Sequence, residues 1–291
     1  MSADNATVQS EWRVTCECAS RHASEVELHL TPVELGNPHA LYQELSCEAV
    51  DGGQLRARVV VPATPGEHPV VLMFHDATRG VRGWHHMTRF VALGCAVVAL
   101  QCRDDVRGVL VDEPLFVGDG LGIAMRAHGE EPVRLGRKIE ARTSDALVRT
   151  YSDALVLAHV AGRIEGIDAS RLFTWGEGLG GGIALLVASL VDASGACALN
   201  PLPAALDDSC AMLDVARIAC GYACPVLMGT CLLDLQATPE AQDVLASCMS
   251  DVRRISYPRY GHERVNAFED EMISFLMGLV DCPTVTPSEQ H

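Results

Sequence analysis

One short run, Gly176-Glu177-Gly178-Leu179-Gly180, constrains this chain more than any other stretch. Before it, Arg171-Leu172-Phe173-Thr174-Trp175 reads as a buried strand entered from a turn at 166–170. After it, the small and apolar residues from Gly181 to Leu190 read as a buried helix. Strand, glycine-rich turn and helix make the frame of a nucleophile elbow, Gly-x-Ser-x-Gly. Small residues let the backbone turn sharply and bring the helix close to the strand. Gly176 and Gly180 supply the two flanking glycines, but the central position is Gly178. The turn is framed for a nucleophile and carries no hydroxyl.

The rest of the chain supplies a sheet for that turn. Val26 to Leu30, Leu41 to Val50 and Leu55 to Val61 alternate like strands, with a hairpin signal at Asp51-Gly52-Gly53, so the front reads as an antiparallel meander after a short helix near Trp12. From Pro69 the strands become unbroken apolar runs, Pro69 to Phe74 and Cys95 to Leu100, separated by a helix over Trp84 to Leu93. Unbroken strands alternating with helices predict a parallel sheet covered on both faces. Residues 104–143 are charged, irregular and too long for a simple connection, which predicts an insertion near the site or at an oligomer contact. The spacing of Ala146, Leu147, Tyr151, Ala154, Leu155 and Ala158 predicts a helix over 143–160. Strands follow at Ser194 to Leu199, Pro225 to Leu233 and Val252 to Tyr257, with helices at 207–220, from Pro239, and at 268–280. The organisation is one domain over 1–291, with an N-terminal extension and antiparallel strands over 1–60 and a frayed tail at 282–291.

Composition excludes some partners. The formal net charge of -16 argues against nucleic acid and anionic membrane, which both select basic surfaces. The twelve cysteines are scattered, and neither Cys16-x-Cys18 nor Cys220-x-x-x-Cys224 is matched by a second pair at zinc-site spacing. Met1 to Thr7 lack the basic and apolar segments of a leader, so reduced thiols in a cytoplasmic setting are expected. No metal or cofactor is expected. His75, His85 and His86 read better as a solvated helix face than as ligands, and Cys102 and Cys231 read as buried, inert thiols.

The chemistry lies in an ordered set. The elbow is followed by Asp234, after a long apolar strand, and by His262, in a loop after the last strand. Nucleophile, acid, histidine is the chain order of α/β-hydrolases, in which the histidine takes the nucleophile's proton and the acid orients it. Further motifs surround these: Phe74-His75-Asp76-Ala77, Trp84-His85, Arg103-Asp104-Asp105, Tyr151 with Asp153, Asp234 with Pro239, Tyr257-Pro258, and Gly261-His262-Glu263. Together they resemble the acetyl xylan esterase and cephalosporin C deacetylase family of α/β-hydrolases, from about Glu11 to Leu279. The resemblance implies an α/β-hydrolase fold, a mostly parallel twisted sheet with an antiparallel front and helices on both faces. It also implies small acylated ligands such as acetylated sugars, and a homo-oligomer of the hexameric, ring-like kind.

The departures from that pattern gather at one end of the sheet. Gly178 stands at the serine, Leu179 replaces glutamine, Asp76 and Ala77 replace the glycine and tyrosine of the oxyanion region, and Arg103, which the resemblance places with them at the oxyanion and substrate pocket, stands in a motif that has lost its glycine and glutamine. In a serine hydrolase of a different fold that uses the same triad, loss of the serine costs on the order of 10⁶ in turnover. A carboxylate at Asp76 also opposes a developing oxyanion. Two functions follow as expectations: an impaired esterase homologue that binds a small acylated ligand or serves as a structural or regulatory partner, or a working deacetylase of acetylated sugars or similar small esters that uses the His262–Asp234 pair with water or a nucleophile other than serine. Glu177, one position off the apex, is expected to face solvent or the pocket.

Overall fold

The computed structural model describes residues 4–112, 115–116 and 137–280. The chain opens with α1 (Asn5–Glu25), whose N-cap Asp4 accepts a 2.8 Å hydrogen bond from the Thr7 N–H. This helix is much longer than the short one expected. Val8, Trp12, Cys16, Ala19 and Ala23 recur at helical spacing and are all buried, so one continuous stripe holds the helix down along its length. Three strands follow, β1 (His29–Pro32), β2 (Ala40–Glu48) and β3 (Gln54–Pro62), paired antiparallel in sequence as the meander predicted. Then come β4 (His68–Phe74), α2 (Trp84–Val91), β5 (Ala96–Gln101) and α3 (Asp104–Asp112). The second half contains α4 (Ala141–Ala161), β6 (Ile167–Glu177), α5 (Leu179–Leu190), β7 (Gly195–Leu199), α6 (Val215–Ile218), β8 (Val226–Cys231), α7 (Pro239–Ser247), β9 (Val252–Tyr257) and α8 (Asn266–Val280).

The described strands form one sheet in the order β1-β2-β3-β5-β4-β6-β7-β8-β9. Every pair from β5 across to β9 is parallel, and the remaining pairs are antiparallel. This is the α/β-hydrolase arrangement. One core contains side chains of α1, α4, α5 and α6, and a second contains those of α2 and α8. Helical order at 104–112 replaces the irregular start expected for the segment after Arg103, while most of that predicted insertion and the predicted tail lie outside the described residues. Between 207 and 220 the predicted helix is broken. A 3₁₀ turn at Asp208–Leu213 meets α6 at Asp214, whose carboxylate accepts from the N–H groups of Ala205, Leu206 and Ala216. No described helix is long and apolar enough to cross a membrane.

Strand order reverses at β4, which lies between β5 and β6 although it precedes both in the chain. Open parallel sheets bind ligands beyond the carboxyl ends of their strands at such a reversal. Phe74, the last residue of β4, is in register with Gly176 of β6. The loop carrying Asp76 therefore emerges beside the turn at Gly178, and the loops after β8 and β9 bring Asp234 and His262 to the same edge of the sheet.

Candidate active site

The turn after β6 is fixed by close backbone contacts. A Cβ on Gly180 would stand 2.3 Å from the Phe74 carbonyl oxygen, and one on Gly176 would stand 2.0 Å from that of Gly180. Only glycine permits this approach of helix to strand. Gly178 sits at φ 55°, ψ -123°, a conformation costly for residues with a side chain. Its N–H donates to the Leu199 carbonyl at 2.9 Å. The sharp, strained geometry of a nucleophile elbow is thus retained with glycine at its apex.

Asp76 lies directly against that apex. It is 4% exposed, and its Oδ1 accepts a 3.3 Å hydrogen bond from the Leu179 N–H, the first residue of α5. Thr78 donates its hydroxyl to Oδ2. A Cβ on Gly178 would meet Asp76 Oδ1 at 2.8 Å and His262 Nε2 at 3.0 Å. Burial alone would raise the Asp76 pKa, but hydrogen bonds from His262 and Thr78 outweigh it and hold the carboxyl below its ordinary value.

His262 is flanked by two carboxylates. Its Nδ1 lies 2.7 Å from Asp234 Oδ2, and its Nε2 lies 3.5 Å from Asp76 Oδ2. Asp234 is buried, and its other oxygen accepts from the N–H groups of Gln236 and Ala237 at 2.8 and 2.9 Å. Its carboxylate therefore orients His262 and closes a turn, while Thr238 caps α7. Burial disfavours the charged imidazole, but the hydrogen bonds to Asp234 and Asp76 prevail and raise its pKa to about 9. At neutral pH His262 is an imidazolium with both N–H groups directed at carboxylates, and it has no lone pair with which to take a proton.

The sign of the linkage follows. The stability His262 contributes is fully present below its unfolded value near 6.5 and is lost as pH rises through about 9. An NMR titration is expected to place the His262 ring near pH 9, and Asp76→Asn is expected to lower that midpoint. A midpoint near 6.5 in the natural chain would show that the two carboxylates do not hold the proton.

Gly178, Leu179, Asp76, Asp234 and His262 converge, and Ala77 lies with Leu179 along a small apolar crevice that also includes His75 and Thr150. Arg103, read from sequence as a pocket residue, is engaged elsewhere. Its guanidinium holds Asp153 through two bonds of 2.7 and 2.5 Å and Asp51 at 2.9 Å. It lines a separate open cavity of about 360 Å³ with Gly53, Gln54, Arg56 and Gln101. Glu177 is buried instead of facing solvent or the pocket. Arg79 donates to it at 2.8 Å, Arg82 donates as well, and Arg264 lies 3.5 Å away.

Other candidates are tied down. His75 donates from Nδ1 to the Asp76 carbonyl and accepts the Cys102 N–H at Nε2, which sets its neutral tautomer. His86 is buried against Arg89, so that helix face is not uniformly solvated. No group of three metal-ligating side chains occurs among the described residues. Burial pushes the Cys102 thiol up to about 11 and raises Cys231 as well, which leaves both as protonated, poor nucleophiles. Two contributors were missed from sequence. Thr78 was signalled only by its position two residues after Asp76, a spacing at which short polar side chains bond locally. Arg79 donates to the His262 carbonyl at 2.6 Å, a contact between residues far apart in the chain that no local motif marks.

Comparison with known proteins agrees with this architecture. The family model described as acetyl xylan esterase (AXE1) matches residues 9–203. Acetyl xylan esterase 1 from Thermoanaerobacterium sp. JW/SL YS485 superposes with a TM-score of 0.71 at 19% identity, over 91% of this chain and 93% of that one. The acetyl xylan esterase from Paenibacillus sp. R4 gives 0.73 at 15% identity, over 94% of each chain. Est1E from Butyrivibrio proteoclasticus gives 0.57 at 14% identity, over 84% of this chain and all of that one. No curated protein matches the sequence. At these identities the structural likeness is one of fold, and the family rests on the model match.

Proposed function

Because the chain belongs to the acetyl xylan esterase family, we propose that it is a serine-less member, impaired in ester hydrolysis, that keeps the Asp234–His262 pair to bind a small acylated ligand such as an acetylated sugar. The observation that carries this reading is the carboxylate of Asp76 on the Leu179 N–H. In the hydrolase design that N–H stabilises the oxyanion of the tetrahedral intermediate. Here it faces a resident anion, no hydroxyl stands at Gly178, and His262 carries a proton it would need to be without. Of the three parts of acyl transfer, the nucleophile is absent, and the base and the oxyanion donor are each engaged by a specific contact with Asp76.

Ligand binding is supported by the surroundings of the pair. Leu232, Leu233, Leu235 and Tyr260 are exposed, apolar and adjacent in sequence to Asp234 and His262. Such a rim suits an acyl group or a sugar face better than an ion.

The test is p-nitrophenyl acetate turnover by the natural chain, with the expected result indistinguishable from the uncatalysed reaction. Robust turnover that His262→Ala abolishes would overturn the proposal in favour of a working esterase in which His262 activates water.

A further inference from the structure

The antiparallel front of the sheet has one face in the core and one face partly open. Leu45, Leu55, Ala57 and Leu100 belong to the core that α1 and α4 cover. Their neighbours along each strand point the other way. Tyr42 on that second face is covered by α2, where its hydroxyl meets that of Thr88 at 2.9 Å, but farther along the strands the side chains are exposed or half-buried. Register sets them in rows. Thr31, Glu44 and Arg58 face one another across β1, β2 and β3, and Ser46, Arg56 and Gln101 do so across β2, β3 and β5. With Gln54 they line a groove of about 450 Å³. It shares Gln54, Arg56 and Gln101 with the cavity of about 360 Å³ beside Arg103, so the two are continuous and end at the carboxyl edge of β5.

The polar groups here are held in place and still have capacity to bond. Arg56 Nε and Nη2 both donate to Gln54 Oε1, at 2.9 and 2.6 Å, which leaves Arg56 Nη1 and the amide N–H groups of Gln54 unused. Arg58 lies over the Trp84 ring at 5.1 Å and donates from Nη1 to the Arg82 carbonyl at 2.8 Å, which leaves its Nη2 unused. Thr31, Ser46 and Gln101 have no side-chain hydrogen-bond partner among the described residues, and Glu44 forms no ion pair there although it faces Arg58. Alternate residues of a strand stand about 7 Å apart on one face, so two guanidiniums lie side by side against the single carboxylate of Glu44. The far end of the groove has the opposite character. Asp104 and Asp105 line it, while Arg103 is engaged by Asp51 and Asp153.

We infer that this groove binds a saccharide bearing a uronic acid. Its carboxylate meets Arg56 and Arg58, and the hydroxyls of that ring and the next meet Ser46, Gln54 and Gln101, with the chain running toward Asp104. Guanidinium groups match carboxylates in shape and charge. Amides, hydroxyls and unpaired carboxylates are the groups that exchange hydrogen bonds with sugar hydroxyls. A bare anion such as phosphate would engage the guanidiniums alone and leave most of the volume and the other donors idle. The aspartates at the far end would repel a second negative charge and accept from hydroxyls, which fixes the ligand as one with its charge at one end. The groove is distinct from the His262 pair and needs no ester chemistry, which takes it beyond the reading above.

The experiment is calorimetric titration of the full chain with cellobiouronic acid, with cellobiose, which carries a hydroxymethyl group in place of the carboxylate, and with inorganic phosphate. The uronate is expected to bind at least about tenfold more tightly than either of the others, and its affinity to fall as salt is added. Backbone amide shifts on titration should gather at Ser46, Arg56, Arg58 and Gln101. Arg56→Gln, at an exposed position, is expected to weaken uronate binding by at least about tenfold and to leave cellobiose unaffected. Absence of uronate binding to the natural chain would overturn the inference, as would equal affinity for cellobiose or phosphate binding as tight as that of the uronate. Amide shifts gathered at Gly178 and His262 would overturn it too, because the ligand would then occupy the site already described. Ester turnover bears only on the serine-less reading, so either can fail while the other stands.

Discussion

Gly178→Ser on its own is expected to leave p-nitrophenyl acetate hydrolysis at background, whereas Asp76→Gly combined with Gly178→Ser is expected to raise it by at least about a hundredfold. Serine at 178 meets three obstacles, and Asp76 is responsible for each. Its Cβ would stand 2.8 Å from Asp76 Oδ1 and 2.9 Å from Asp76 Cγ, against a side chain that is buried and hydrogen-bonded. Its hydroxyl would face an imidazolium that Asp76 helps to keep charged. Its tetrahedral intermediate would compete with a resident carboxylate for the Leu179 N–H. Removing the carboxylate clears the space, lowers the His262 pKa toward the range of a working base, and frees the donor. One oxyanion donor is worth about 10²–10³ in turnover, and the gain named here assumes little more than that. The measurement is turnover for both variants, with melting temperatures to establish that each is folded. A single variant as active as the double one would show that Asp76 is not the obstruction.

How much of this was legible before the structure differs by residue. The sheet was readable because its signals are local: unbroken apolar strands, a glycine hairpin at 51–53, and glycines whose spacing only a strand-to-helix turn explains. Asp234 and His262 were readable because chain order is itself a property of the fold. Asp76 was legible as a charge in the wrong place, but not as a hydrogen-bond partner of Leu179, since that pairing joins residues about a hundred positions apart. Arg103 was misplaced for the same reason. Its position in a family-like motif drew it toward the pocket, while Asp153 and Asp51, both distant in sequence, decide where its guanidinium lies. Glu177 stands next to the apex, which suggested a group facing outward. Its environment is set by three arginines from two loops that periodicity does not connect.

Those arginines give the largest stability effect expected of a single substitution. Glu177→Ala should destabilise the fold by about 3–5 kcal/mol, the usual cost of breaking a buried ion pair by removing one partner. Four guanidiniums, of Arg79, Arg82, Arg89 and Arg264, share two carboxylates, Glu177 and Glu269. Arg82 bridges both acids with its side chain only 10% exposed. Losing Glu177 leaves the cluster strongly positive where water reaches it poorly, so the penalty falls on Arg82 above all. Arg264 is more exposed and hydrates more readily. The exposed Arg253–Glu271 pair makes the comparison, because solvent screens it and Glu271→Ala should cost under about 1 kcal/mol. For a chain of this size the Glu177→Ala loss corresponds to a fall in melting temperature on the order of 10 °C, and Glu177→Gln should fall between, since it keeps acceptor geometry and gives up charge. The effect should also reach the site. Arg79 holds the His262 carbonyl at 2.6 Å with one nitrogen while the other is held by Glu177 at 2.8 Å, so the carboxylate anchors the strut that positions the histidine loop. Calorimetric melts of the three variants decide the matter: equal small shifts for Glu177→Ala and Glu271→Ala would mean that the cluster is as well hydrated as the surface and has no hold on the fold.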